Sequence, residues 1–180
     1  RGQSFKNPAY YIYNFITDKK RLILRTGDDI YGIRFDQNAK PIRASGFDAA
    51  TDEYIWYYRP EGSNSWTEYH RMHEDSFETF SVVNTNNMKG EIYVIANNGE
   101  DKESLWKYDI ENKKFTSKIY GSNESDLFGA LYHYNKSKHP RELIGVTTFT
   151  DKFKRLYLGG DLSLEVEELY YQLEQIIPNS

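Results

Sequence analysis

The sequence predicts an all-β fold: a partial β-propeller of about three four-stranded blades followed by one C-terminal α-helix. Three observations carry that expectation. A tyrosine-rich hairpin phrase recurs, in its clearest form as Leu105-Trp106-Lys107-Tyr108-Asp109-Ile110 followed by Glu111-Asn112-Lys113-Lys114-Phe115, with looser copies around Tyr13 and Tyr58. The copies stand about 50 residues apart, in the range of one propeller blade. Alternation of aromatic and polar residues dominates the chain, and the three-and-four spacing of an amphipathic helix stands out in a single segment, near the end.

Each element follows from local chemistry. Ala9 to Phe15, a turn at Thr17-Asp18-Lys19, and Arg21 to Arg25 read as an outer hairpin. A second runs from Tyr54 to Tyr58, turns at Pro60-Glu61-Gly62-Ser63-Asn64, and returns from Trp66 to His70. The third is the phrase itself, with Asp109 opening the turn, Asn112 and Lys113 carrying it, and Phe115 starting the return strand.

Inner pairs precede two of these hairpins. Ile30 to Phe35 joins Pro41 to Phe47 through Asp36-Gln37-Asn38, and Phe80 to Asn84 joins Glu91 to Ala96 through Asn86-Asn87-Met88-Lys89-Gly90. A further pair begins after Gly129, running from Ala130 to Tyr134 and from Glu142 to Phe149. The organisation is one propeller domain spanning 1–180: half a blade at 1–28, blades at about 29–75, 76–122 and 126–160, and a helix at about 162–177. Both ends read as cut within a larger propeller, because closed propellers contain about four blades or more.

The helix is read from Leu162, Val166, Leu169, Leu173 and Ile176, which fall on one face. Asp161 or Ser163 is the expected cap; Glu165, Glu167 and Glu168 suit the positive end of the helix dipole, and Pro178 marks the stop. The apolar stripe is expected to pack on the protein's own sheets; a partner-binding helix is the other reading.

Composition narrows the function classes. At 180 residues the chain can bury roughly 70% of its unfolded surface. Sixteen tyrosines, ten phenylalanines and three tryptophans favour strands. A formal charge of −4 and a pI of about 5.6 offer no basic field, so neither nucleic acid nor an anionic membrane is an expected partner. Absence of cysteine removes disulfides and thiolate metal sites and leaves the compartment open between cytoplasm and periplasm. The longest apolar run, Ile92-Tyr93-Val94-Ile95-Ala96, is too short to cross a bilayer, and no basic-then-apolar leader opens the chain.

The run from Gly90 through Ile92-Tyr93-Val94-Ile95-Ala96-Asn97-Asn98-Gly99-Glu100-Asp101, followed by Leu105-Trp106-Lys107-Tyr108-Asp109, resembles the propeller of bacterial prolyl oligopeptidase family serine peptidases, of the dipeptidyl and acylaminoacyl peptidase type. The acidic-start helix from Leu164 to Pro178 follows that family's order of parts. The resemblance implies a noncatalytic propeller that gates and selects peptides for a C-terminal α/β-hydrolase domain. That family's serine lies in a Gly-x-Ser-x-Gly elbow. Gly2-Gln3-Ser4-Phe5-Lys6 fails at its last position, so no catalytic residue is assigned.

Residues taken singly assign no catalytic, cofactor or metal site. His70 and His73 lie on opposite faces of a strand and read as surface residues. His133 and His139 flank a loop without metal-ligand spacing and give no site. Asp48, Asp52 and Glu53, with Glu74 and Asp75, are the candidate carboxylates for a glycosidase pair, the third functional class, although charged connections are ordinarily solvated. Gly99, Glu100 and Asp101 lack the spaced oxygen ligands of a calcium loop. Tyr54, Trp56 and Tyr58, alternating with Tyr57, are expected to fill the space between blades. A stand-alone protein- or carbohydrate-binding module is the alternative, with an exposed aromatic row stacking on sugars or gripping a peptide. Open blade faces and sheet edges predict self-association.

Overall fold

The computed structural model describes residues 8–27, 29–83, 88–139 and 141–177. Gly2-Gln3-Ser4-Phe5-Lys6, Asn84, Asn86, Asn87 and Pro178, which the sequence reading used, lie outside the described residues. The fold is all-β. Among the described residues there is one helix, and thirteen strands form four antiparallel sheets, each of them joining strands that are neighbours in the chain.

The first sheet pairs β1 (Ala9–Asn14) with β2 (Lys19–Arg25). The second is a meander of β3 (Ile30–Phe35), β4 (Pro41–Asp48), β5 (Glu53–Tyr58) and β6 (Thr67–His73). The third repeats it with β7 (Phe80–Val82), β8 (Glu91–Ala96), β9 (Ser104–Asp109) and β10 (Lys114–Tyr120). The fourth holds β11 (Leu127–Tyr132), β12 (Leu143–Phe149) and β13 (Phe153–Tyr157), and α1 (Asp161–Ile176) follows it. The strand β13 went unread in the sequence because Phe153, Lys154 and Arg155 are all exposed and the alternation of a half-buried strand is missing. The strand expected to start after Gly129 begins at Leu127, which is buried.

Three four-residue connections share one construction. Residues 15–18, 49–52 and Ile110–Lys113 end on Asp18, Asp52 and Lys113, with φ of 52°, 52° and 51°. In the first two, the entry residue supplies hydrogen bonds that bend the chain. Asn14 Oδ1 accepts from the Ile16 and Thr17 N–H groups at 2.9 and 3.0 Å, and Asp48 Oδ1 accepts from Ala50 N–H at 3.0 Å. The outer strand of each of the first three sheets also carries extra residues. The register skips Ile23 in β2, Tyr69 in β6, and Thr116 and Ile119 in β10, a bulge at each.

The chain divides into two compact units. The first holds residues through 77 with 88–91 and Ile110–Lys113. Its interior contains Ile33, Ala44, Ile55 and the bulge residue Tyr69, and Tyr10 meets Phe35 at 5.5 Å between ring centroids. The second unit contains the remainder, and its core draws Val83, Ile95 and Leu105 together with Leu127, Leu143 and Val146. Beside this core in the same unit, Phe80, Trp106, Tyr108 and Phe115 form a chain of rings with centroids 5.0 to 5.6 Å apart. Burial pushes the Tyr108 hydroxyl up to about 12.

The helix differs from expectation at its start. Gly160 is the N-cap at φ 84°, following Gly159 at φ 83°, and no side chain caps the helix. That pair of left-handed residues turns the chain out of β13, a conformation glycine adopts without a Cβ penalty. Ser163 does not cap; its buried hydroxyl donates to the Ile144 carbonyl of β12 at 2.9 Å. Asp161 is the first helical residue, and its charge suits the dipole.

Leu105→Ala should cost about 3 kcal/mol, since its side chain is wholly excluded from water, read as a lower midpoint in chemical denaturation. Ala39→Gly should stabilise by up to about 1 kcal/mol, because Ala39 sits at φ 59° in a turn already held by Asp36. An unchanged or lowered melting temperature would contradict that assignment of strain.

Candidate functional site

Three side-chain clusters carry chemistry. The second sheet supplies two of them, on opposite faces, because alternate residues along β5 point opposite ways. On one face the register sets Phe47 beside Tyr54, and Trp56 beside His70. Ring centroids run 5.1 Å from Phe47 to Tyr54, 6.5 Å from Tyr54 to Trp56 and 5.2 Å from Trp56 to His70. All four rings are half-buried. Tyr58 turns instead to Tyr69, at 6.0 Å.

His70 is thus not the surface residue that alternation suggested. Burial against Trp56 pushes its imidazole down to about 4. His73 is exposed, and its Nδ1 accepts from Asp75 N–H at 3.2 Å.

The other face is charged. The Arg71 guanidinium reaches Glu53 at 2.6 Å, Glu68 at 2.9 Å and Asp48 at 3.4 Å, and Lys113 adds a contact to Glu68 at 3.2 Å. Tyr57 stands on the same face, over Gly46, where a Cβ would lie 2.8 Å from its ring and 2.6 Å from the Asp29 carbonyl oxygen. Asp48 is held below the usual carboxylate range first by the Ala50 N–H, Glu53 by the Thr51 hydroxyl, and Glu68 by Arg71; Arg71 adds to the first two. A glycosidase acid needs a carboxyl whose pKa is raised. These three are lowered, so the cluster offers acceptors and no proton donor near neutral pH.

The remaining candidates are dispersed. Glu74 accepts from the Tyr54 hydroxyl at 3.4 Å, and the Glu74 N–H donates to the Asp52 carbonyl at 2.7 Å. Glu100 pairs with Lys118 and accepts from Ser104 Oγ, while Asp101 pairs with Lys102 at 3.2 Å. Gly99, at φ 78°, serves the turn.

The third cluster is one that sequence reasoning passed over. His133, assigned no site, is 1% exposed. Its ring stacks on Tyr134 at 4.6 Å and meets the edge of His139 at 4.5 Å. Its Nδ1 accepts from Asn135 N–H at 3.1 Å, which leaves the single proton of a neutral imidazole on Nε2. That Nε2 lies 3.7 Å from Glu165 Oε2, beyond hydrogen-bond reach. Glu165, on the second turn of α1, accepts from the Tyr134 hydroxyl at 2.5 Å, and that bond, followed by the nearby imidazoles, lowers its pKa. Glu165 stands 32 positions from His133, so no local spacing could reveal the contact.

With Nδ1 accepting and Nε2 protonated, His133 presents no lone pair to a metal ion. Among the described residues, no group of three or more histidine, aspartate or glutamate side chains is placed to hold one. The arrangement ties the helix start to the β11–β12 loop. No protein-family model, curated protein or solved structure matches the chain.

The His70 environment gives a pH dependence with a definite sign. Its folded-state pKa of about 4 lies below the ordinary 6.5, so the unfolded chain takes up a proton that the folded one refuses. Stability should therefore be unaffected by this group above pH 6.5 and fall as pH drops from 6.5 towards 4. His70→Gln should flatten that part of the melting-temperature profile; an identical slope in the variant would show that His70 is not its source.

Proposed function

We propose that the chain is a noncatalytic propeller segment that gates and selects peptide substrates for a serine peptidase catalytic domain lying outside these residues. The observation that carries the reading is the recurrence of one meander, β3 to β6 and then β7 to β10, with the outer-strand bulge falling at Ile23, Tyr69 and Thr116. Consecutive antiparallel sheets in chain order are the construction of propeller blades. The segment resembling the prolyl oligopeptidase family lies on β8 and β9, and its Asn97-Asn98-Gly99 end forms the turn that Glu100 N–H closes onto the Asn97 carbonyl at 2.8 Å. Its partners in this reading are an α/β-hydrolase domain of the same protein and short peptides.

The test uses the longest natural translation product that contains these residues. A serine-directed fluorophosphonate should label it outside residues 1–180, and the labelling should abolish hydrolysis of dipeptidyl or acylaminoacyl chromogenic amides. Labelling within 1–180, or no amidase activity at all, would overturn the proposal.

The row Phe47, Tyr54, Trp56 and His70 favours a second reading, a protein- or carbohydrate-binding module, because half-buried rings on one sheet face can stack on a sugar. Binding should then quench tryptophan fluorescence on titration with the ligand and disappear in Trp56→Ala. A silent response across a broad glycan and peptide panel would remove this reading.

A further inference from the structure

We propose that Asn98-Gly99 is a site of spontaneous covalent modification, at which the Asn98 side chain closes on the Gly99 nitrogen and water then opens the ring to aspartate or isoaspartate. It is the chain's one asparagine followed by glycine. Asn98 at φ 44° and Gly99 at φ 78° form a tight turn at the start of the β8–β9 connection, in the left-handed pair that this dipeptide favours. One backbone hydrogen bond, from Glu100 N–H to the Asn97 carbonyl at 2.8 Å, closes the turn. Among the described residues neither the Asn98 carboxamide nor the Gly99 N–H is engaged in a hydrogen bond. Gly99 is exposed, has no Cβ to hinder the approach to its nitrogen, and would meet no atom within 4 Å of a Cβ built on it, so that side of the turn is open. Asn64-Ser65 is the contrasting case. The Asn64 Oδ1 and carbonyl both accept from Arg59 Nη2, at 3.3 and 2.7 Å, and Ser65 N–H donates to Ser63 Oγ at 3.0 Å. There the carboxamide and the following nitrogen are both held.

The chemistry needs water and no oxidant or reductant. The Gly99 nitrogen gives up its proton and bonds to Asn98 Cγ; the Cγ–Nδ2 bond breaks, and that nitrogen leaves as ammonia with the proton. Water then adds across one C–N bond of the ring. Breaking the bond to Cγ yields aspartate. Breaking the bond to the main-chain carbonyl carbon yields isoaspartate, whose main chain runs through Cγ and is one carbon longer. Either product sets a new negative charge beside Glu100 and Asp101. The longer main chain follows directly on Asn97, whose Oδ1 accepts from Thr79 N–H at 3.0 Å and whose N–H donates to Thr79 Oγ1 at 3.2 Å. That clasp fastens the approach to β7, the edge strand of the third sheet, onto the end of β8, and isoaspartate loosens it.

The experiment ages the 180-residue chain in heavy-oxygen water at mildly alkaline pH, which favours loss of the amide proton, and maps its peptides by mass spectrometry. The peptide holding Asn98 should lose ammonia, take up one labelled oxygen and yield a fraction that an isoaspartyl methyltransferase methylates. It should convert at least about tenfold faster than the peptide holding Asn64, and no more than about tenfold slower than in the same chain unfolded by urea. Asn98→Gln, whose side chain would have to close a larger ring, should leave the peptide unmodified. Gly99→Ala should slow conversion by about tenfold or more, because a Cβ then crowds the attacking nitrogen. The converted chain should unfold at a lower denaturant concentration than Asn98→Asp, which has the charge without the longer main chain. An unlabelled Asn98, conversion of Asn64 at an equal rate, a larger gap between folded and unfolded chains, or undiminished conversion in Asn98→Gln would overturn the site. Equal denaturation midpoints for the converted chain and Asn98→Asp would overturn the loosening of the clasp.

Discussion

The buried cluster that brings Leu105 of β9 together with Val146 of β12, both wholly excluded from water, anchors the second unit. A small antiparallel sheet cannot bury both of its faces alone and needs a neighbour. With the core of the third and fourth sheets in place, the Tyr132 hydroxyl reaches the Val83 carbonyl at 2.5 Å and Glu103 N–H reaches Asp126 at 2.8 Å. The position of β12 then sets the Ile144 carbonyl that Ser163 uses, and the end of β11 sets His133. The helix is therefore seated through β12 and the β11–β12 loop, with Ser163 and Val166 as its buried residues.

The polar clusters handle charge differently. Arg71 and its three carboxylates lie on a partly solvated face, where screening keeps each pair worth little, and their collective effect is to keep the carboxylates ionised. His133 is treated in the opposite manner, buried, with its Nδ1 accepting from the Asn135 N–H.

Legibility in the sequence tracks how local the determining contacts are. β5 and β9 could be read from Tyr54 to Tyr58 and from Leu105 to Asp109 because strand alternation and turn residues are local properties. The helix was legible for the same reason, through Leu162 to Ile176. What escaped depends on the third dimension: the pairing of β13 with β12, the burial of His70 beneath Trp56, the diversion of Ser163 from cap to tether, and the meeting of His133 with Glu165. Alternation placed His70 correctly relative to His73, on the face that Trp56 shares, but it could not say how much of that face would be covered.

The meander topology also bears on how the chain reaches its fold. Among the described residues every strand pairs only with strands adjacent to it in the chain, and the four-residue connections end on left-handed residues, two of them entered through Asn14 and Asp48. Hairpins of this kind close in about 1–10 μs, with little loop entropy to overcome. Joining Leu105 to Val146 spans 41 positions and must wait for sheets that already exist. The slow event is then the docking of preformed sheets rather than the pairing of strands, and a chain emerging from the ribosome can complete each sheet before the next has been synthesised.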